Sequence, residues 1–271
     1  KTSRTNTENN GSWSCIMKKI LLVGGDSFSD QYCHSYDGTD IVTWPILLAE
    51  KLDMTLKCVA QSGSGNEQIY SSIQDYVCDH NPENIGMVIA AWSKSERMDF
   101  EHAHPRPHRK GKRTWHNTRV NPRGELYSFI RKSVRNFYNL QMLCENQGIQ
   151  YKHFQMISLF KDYIHEYHKN TYYDTRFECI EHLTESSQFH HINKGNFIGW
   201  PIYDEAGGFV VGDKTVHKNW DDVHRLTNNK VGSSYFQTAK GVPQDYVIGP
   251  HDGHPNKAGH KLIMDFIYEN L

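Results

Sequence analysis

A serine hydroxyl is a poor nucleophile until a base takes its proton, and an imidazole suits that task because its pKa lies near neutrality. A carboxylate completes the set by fixing the imidazole tautomer and steadying the imidazolium. The chain carries these groups at its two ends. Gly25-Asp26-Ser27 directly follows the apolar run Ile20-Leu21-Leu22-Val23, and His251-Asp252-Gly253-His254-Pro255-Asn256 stands shortly before the C-terminus. Ser27 is the candidate nucleophile, His254 the base and Asp252 the acid. A bare Gly-Asp-Ser would read as a turn serine after a strand; the acid and imidazole two residues apart at the other end favour the chemical reading. Asp26 reads as the residue that holds the glycine turn by accepting from backbone N–H groups, in preference to a catalytic role. The Gly-x-Ser-x-Gly elbow of another hydrolase class is absent. Gly63-Ser64-Gly65 lacks the third glycine of a dinucleotide site.

For these groups to meet, a sheet has to bring the two ends together. Strands are expected at residues 19–23, 55–60, 87–92 and 149–156, with a weaker one at 246–248. Helical patterns separate them: 44–52 with Pro45 in its first turn, 66–78 with Asn66 as N-cap, 124–147 stopped by Gly148, and 255–270. Strands alternating with helices predict a mostly parallel α/β sheet with right-handed crossovers. Ligands bind such sheets beyond the carboxyl ends of the strands. Ser27, Ser62-Gly63-Ser64-Gly65-Asn66, Trp92-Ser93 and the Asp252/His254 pair all fall on that rim. Residues 94–123, rich in Arg, His and Pro, and residues 168–250, aromatic and rich in His, Asn and Gly, read as insertions at one edge. The aromatics of the second, among them Tyr172, Tyr173, Phe197, Trp200, Tyr203 and Trp220, read as the insertion's own core, with a sugar-stacking platform as the alternative.

The 271 residues suffice for one elaborated domain, expected over 17–271, with residues 1–16 as a polar arm, a linker or a cloning remnant. With 30 basic and 31 acidic residues, nothing argues for general binding to nucleic acid or membrane. The basic run His108-Arg109-Lys110-Gly111-Lys112-Arg113 reads as a solvated loop, with a grip on an anionic substrate or a nucleic acid backbone as the alternative. No apolar run is long enough for a membrane span or a signal-peptide core. Six cysteines without a CxxC pair read as free, mostly buried thiols in a reducing compartment. The histidine pairs (His102 and His104, His165 and His168, His190 and His191) are expected by chance among 17 histidines and lack zinc spacing, so no metal and no cofactor is expected.

These motifs resemble the SGNH (GDSL) hydrolase family, which folds as a flavodoxin-like three-layer α/β/α sandwich. Gly25-Asp26-Ser27 is similar to its first block, the Gly63 region to its second, and Asp252-Gly253-His254-Pro255-Asn256 with Gly259-His260 to its last. The similarity covers roughly 17–93, 124–156 and 250–271. It implies a Ser27-His254-Asp252 triad and an oxyanion hole built from the N–H groups of Ser27 and of Gly63 or Gly65. There are two departures. The family usually spaces its acid and histidine as Asp-x-x-His, which here would select His251. Its third block ends in Gly-x-Asn-Asp, whose asparagine donates to the oxyanion; here the segment is Ala90-Ala91-Trp92-Ser93-Lys94-Ser95-Glu96-Arg97. Asn66, with Ser93 as the alternative, is expected to replace that donor. Asp26, Trp92, Ser93 and Arg97 are candidates for substrate contact. The Trp-Ser-x-x-x-Arg end of the third strand resembles SGNH-like proteins encoded by bacteriophages.

The resemblance implies ester hydrolysis through an acyl-enzyme, on a small-molecule or glycan ester. The polar, aromatic insertions lean towards a carbohydrate O-acetyl ester. A structural or binding protein that keeps the fold, such as a phage-particle component with virion or oligomer partners, is the rival from another class; an O-acyltransferase using the same triad is a third reading. The expected setting is the cytoplasm or a virion.

Overall fold

A computed structural model describes residues 18–31, 41–95, 97–103, 113–118, 126–157, 182–198, 209–210, 230–231, 247–249 and 252–271. Its centre is a parallel sheet of five strands: β1 (Ile20–Gly24), β2 (Thr55–Cys58), β3 (Ile85–Trp92), β6 (Tyr151–Gln155) and β7 (Phe197–Ile198), in the spatial order β2-β1-β3-β6-β7. Numbered along the chain, this is the 2-1-3-4-5 order of flavodoxin-like sheets, whose chain direction switches between the first and third strands.

Pleating explains the three layers. Leu22, Val88, Ala90 and Trp92 point to one face; they pack with Ile69, Ile73 and Val77 of helix α2 (Asn66–Asp79) and with Ile130, Val134, Phe137, Leu140 and Cys144 of α3 (Leu126–Gln147). Leu21, Val23, Met87, Ile89 and Ala91 point to the other; they pack with Trp44, Leu48 and Ala49 of α1 (Trp44–Lys51) and with Ile263, Met264 and Ile267 of α4 (Lys257–Glu269). β3 is covered on both faces, which is why its sequence is continuously apolar. Fully buried side chains such as Phe137 and Phe154 each contribute about 1.5–3 kcal/mol by burial. Pro45 starts α1, Gly148 stops α3 at φ +65°, and Asn256 caps α4 by accepting from Gly259 N–H at 3.0 Å.

The structure departs from expectation in the second insertion. β7 lies within 168–250, and Leu183, Phe189, Ile192 and Phe197 belong to the core shared with α3. Phe197 packs against Phe137 and His153, with ring centroids at 5.4 and 4.3 Å, so it is part of the sandwich and not of a separate aromatic core. Two residues are too few to show a strand period. The other aromatics named above lie outside the described residues. The first insertion carries an antiparallel hairpin of β4 (Met98–Ala103) and β5 (Arg113–Thr118). A short pair joins β8 (Phe209–Val210) to β9 (Lys230–Val231). The segment at 247–249 forms β10 (Val247–Gly249), which leaves the main sheet to pair antiparallel with β11 (Asp252–Pro255). Among the described cysteines, Cys58, Cys78 and Cys144 are free, and Cys78 is exposed on α2 rather than buried. No helix among the described residues is long and apolar enough to cross a membrane.

Two buried histidines are expected to make the fold acid-sensitive. His153 accepts from Trp92 Nε1 at 3.2 Å through Nδ1, its Nε2 has no partner, and burial pushes its pKa down to about 3. His260 accepts from Trp44 N–H at 3.4 Å; burial, and secondarily the nearby His254, push it down to about 4. An unfolded histidine titrates near 6.5. Between that value and the folded ones the unfolded chain binds more protons, so stability is full above pH 6.5 and is lost as pH falls towards 4 and then 3. Thermal melts are expected to show a falling Tm from pH 7 to pH 4. His153→Phe should flatten that slope, at a cost of about 1–3 kcal/mol at pH 7 because Trp92 Nε1 loses its acceptor. Equal slopes in the variant and the wild type would refute the assignment to His153.

Candidate active site

The sheet's direction switch lies between β1 and β3, and the candidate groups gather beyond the carboxyl ends of these strands. After β1 the chain turns sharply. Ser29 and Asp30 N–H both donate to Asp26 O at 2.9 Å, and Asp26 Oδ1 accepts from Phe28 N–H at 3.1 Å. Asp26 therefore holds the glycine turn, as its type and position suggested. The turn buries Asp26 and Phe28 and leaves Ser27 half-buried between them. Ser27 Oγ lies 2.8 Å from His254 Nε2, across 227 residues of sequence. Phe28 stacks on the imidazole with centroids 4.7 Å apart and planes at 26°, which fixes the ring's tilt. Only the position of Phe28 beside the candidate serine could have flagged it.

His254 stands on β11, the short strand just before α4. Three residue steps from Asp252 to Pro255 face two from Val247 to Gly249, so β11 carries an irregularity near His254. Such bulges re-aim side chains. The side chain of Asp252, and His251 altogether, lie outside the described residues. Among the described residues Asp26 makes no bond to His254.

The loop after β2 is pinned on both sides of Gly63. Gln61 N–H donates to Gly25 O at 3.1 Å, Ser62 N–H to Asp30 Oδ2 at 3.0 Å, Ser64 N–H to Gln61 O at 3.1 Å and Gly65 N–H to Asp99 Oδ1 at 2.8 Å. Gly63, at φ +86°, adopts a conformation that favours glycine. Its N–H has no partner among the described residues, and neither does that of Ser27. Gly65, expected as an alternative donor, is spent on Asp99.

Asn66 is neither the N-cap nor an oxyanion donor. Gly65 is the N-cap, and Asp99 caps α2 from β4 by accepting from Gly65 N–H and, at 2.9 Å, from Gln68 N–H. A Cβ on Gly65 would lie 2.6 Å from Asp99 Oδ2, so only glycine lets the carboxylate approach. Burial pushes the Asp99 carboxyl above its usual range, against the lowering pull of those two amides. Freed from capping, Asn66 clamps the end of β3. It accepts from Ser93 N–H at 2.7 Å and donates to Ser93 O at 3.1 Å and Ser133 Oγ at 3.0 Å. Both amide hydrogens are thus used. Asn66→Ala is expected to cost about 2–4 kcal/mol, because it strands the buried Ser93 amide; urea denaturation reads this directly. A loss under 0.5 kcal/mol would refute the clamp.

Ser93 and Trp92 are likewise not substrate contacts. Both are fully buried; Ser93 Oγ donates to Asp26 Oδ2 at 3.1 Å, and Trp92 faces the α3 core. Asp26 is also fully buried, paired with Arg97 at 2.9 Å. Arg97, 21% exposed, is the one candidate substrate-contact residue with a face towards solvent.

Among solved structures, the esterase EstA of Pseudoalteromonas sp. is 14% identical, with 93% of this chain and 96% of that one covered and a TM-score of 0.46. The acetyl xylan esterase AlAXEase is 12% identical, covered 93% and 99%, at 0.44. A GDSL-like lipase of Bacteroides thetaiotaomicron is 10% identical, covered 93% and 86%, at 0.43. In fold, the chain is similar to SGNH (GDSL) hydrolases. No protein-family model and no curated protein matches the sequence.

Proposed function

We propose that the protein is a serine esterase of SGNH type. The observation that carries this reading is the 2.8 Å approach of His254 Nε2 to Ser27 Oγ. At that distance the imidazole can take the hydroxyl proton as the oxygen attacks an ester carbonyl. The tetrahedral oxyanion is received by the N–H groups of Ser27 and Gly63, the rim amides that no other described group engages. His254 then gives its proton to the departing alkoxide, and water repeats the cycle on the acyl-enzyme. Asp252 orients His254 from the same short strand. No step requires a cofactor.

The substrate class follows from the composition of the insertions more than from the triad. The polar and aromatic composition of the insertions favours a carbohydrate O-acetyl ester over a long-chain lipid. A second reading, a fold-keeping binding protein, draws on the third block, where Ser93 and Asn66 are both consumed by structure, so that neither offers a free side-chain donor to the oxyanion. A fluorophosphonate probe decides between them: labelling at Ser27 supports the esterase, and an inert Ser27 defeats it. Turnover of p-nitrophenyl esters of graded chain length beside acetylated xylan then sets the substrate. A preference for long acyl chains would overturn the carbohydrate reading, and acyl transfer to added sugar hydroxyls would identify a transferase.

A further inference from the structure

We propose that Arg97 is the positioning residue of this site: its guanidinium joins the nucleophile turn to the oxyanion loop and replaces, by a different route, the asparagine missing from the third block. The inference rests on the esterase reading.

A single nitrogen makes the connection. Arg97 Nη1 lies 2.9 Å from Asp26 Oδ2, 2.8 Å from Ser64 O and 2.7 Å from Ser93 Oγ. Asp26 belongs to the turn that presents Ser27, Ser64 to the loop that presents Gly63, and Ser93 to the end of β3. The peptide joining Ser64 to Gly65 is gripped at both ends. Its carbonyl accepts from Arg97, and its N–H donates to Asp99 at 2.8 Å. Arg97 and Asp99 are two residues apart on the segment that follows β3, so one short stretch holds that peptide plane. On the other side of Gly63, Asp30 holds Ser62 through both its N–H and its hydroxyl, each at 3.0 Å. Gly63 is the hinge between these two grips, and the direction of its N–H is set by them. On the nucleophile side, Asp26 Oδ1 fixes Phe28 N–H while Oδ2 receives Arg97. The guanidinium thus ties the turn to the loop on the Ser64 side of Gly63, while Gln61 N–H to Gly25 O and Ser62 to Asp30 tie them on the other, so the relative position of the Ser27 and Gly63 amides depends on Arg97 for one of its two supports.

Arginine suits this task because Nη1 is held in the plane of a rigid guanidinium that stays charged, whereas a lysine ammonium sits at the end of a flexible four-carbon stem and holds its partners less firmly. The buried Asp26 carboxylate neutralises it, so the pair adds no net charge beneath the oxyanion. Arg97 acts through the backbone and need not touch the substrate. Misplacing a reacting group by about 1 Å costs on the order of 10²-fold in rate.

The test uses Arg97→Met, Arg97→Lys and the double variant Asp26→Asn/Arg97→Met, with p-nitrophenyl acetate turnover, fluorophosphonate labelling and thermal melts. Arg97→Met is expected to lower kcat by about 10²-fold with KM within a few-fold of wild type. Arg97→Lys should recover only a small part of this. Arg97→Met also strands a buried carboxylate and lowers Tm; the double variant removes that charge and should regain Tm while kcat stays low. Recovery of kcat together with Tm in the double variant would show a merely structural ion pair and overturn the proposal. So would an Arg97→Met variant with wild-type kcat. A wild-type protein that neither turns over the ester nor labels at Ser27 would overturn the esterase reading itself, and the proposal with it.

Discussion

Ser27→Ala is expected to lower ester turnover by roughly 10⁴–10⁶-fold, since in triads of this kind removing the nucleophile leaves only binding and the oxyanion donors. The fold should be untouched, for reasons visible in the turn. Its bonds run from the Phe28, Ser29 and Asp30 amides to Asp26, and none uses the Ser27 side chain. The hydroxyl's described partner is His254, itself half-buried and held by the Phe28 stack. An alanine keeps the backbone and the Ser27 N–H, so substrate binding should change little and the loss should fall on kcat. Substitutions that break no buried contact usually stay within about 0.5 kcal/mol of stability. Melting curves of the variant and the wild type should therefore overlay while the fluorophosphonate signal vanishes. A Ser27→Ala protein that keeps wild-type turnover would end the catalytic reading, whatever the geometry.

The parts of this site that could be read in advance are those with a local signature. β1 and β3 announce themselves as apolar runs, and a serine just past one of them, with an imidazole just before the last helix, marks the rim. The parts that could not be read are side-chain contacts to distant backbone. Asn66 in front of a helical pattern satisfies every local rule for an N-cap, and it fails because Asp99, from another strand, already fills that place. Nothing near Asn66 encodes that. Arg97 reaches Asp26 across 71 residues and Ser64 across 33, and neither separation leaves a period or a motif. β7 was hidden for a different reason: its two residues sit in a polar stretch, and it is a strand because His153 and Phe154 of β6 offer it an open edge. Local propensity proposes elements, and long-range pairing decides which short ones survive.

The acid is where a single substitution separates two spacings. Asp252→Asn is expected to lower kcat by about 10³–10⁴-fold with the Ser27–His254 pair still in place, because an amide can hold the imidazole in the wrong tautomer and cannot steady the imidazolium. His251, which stands where the commoner family spacing would put an acid, should tolerate His251→Asn with kcat within a few-fold of wild type. The other carboxylate near the nucleophile is already committed. Asp26 Oδ1 holds Phe28 N–H, Oδ2 holds Ser93 Oγ and Arg97, and the group is fully buried beneath the turn. An acid that served both the turn and the imidazole would have to release one of them each time His254 charges. Asp252 stands two residues from His254 on a strand whose irregularity lets neighbouring side chains be re-aimed. Kinetics and melts on Asp252→Asn and His251→Asn settle the assignment: a lost kcat with an unchanged Tm in the first alone makes Asp252 the acid. Wild-type kcat in Asp252→Asn would leave His254 working without it, as an unassisted base or with another partner.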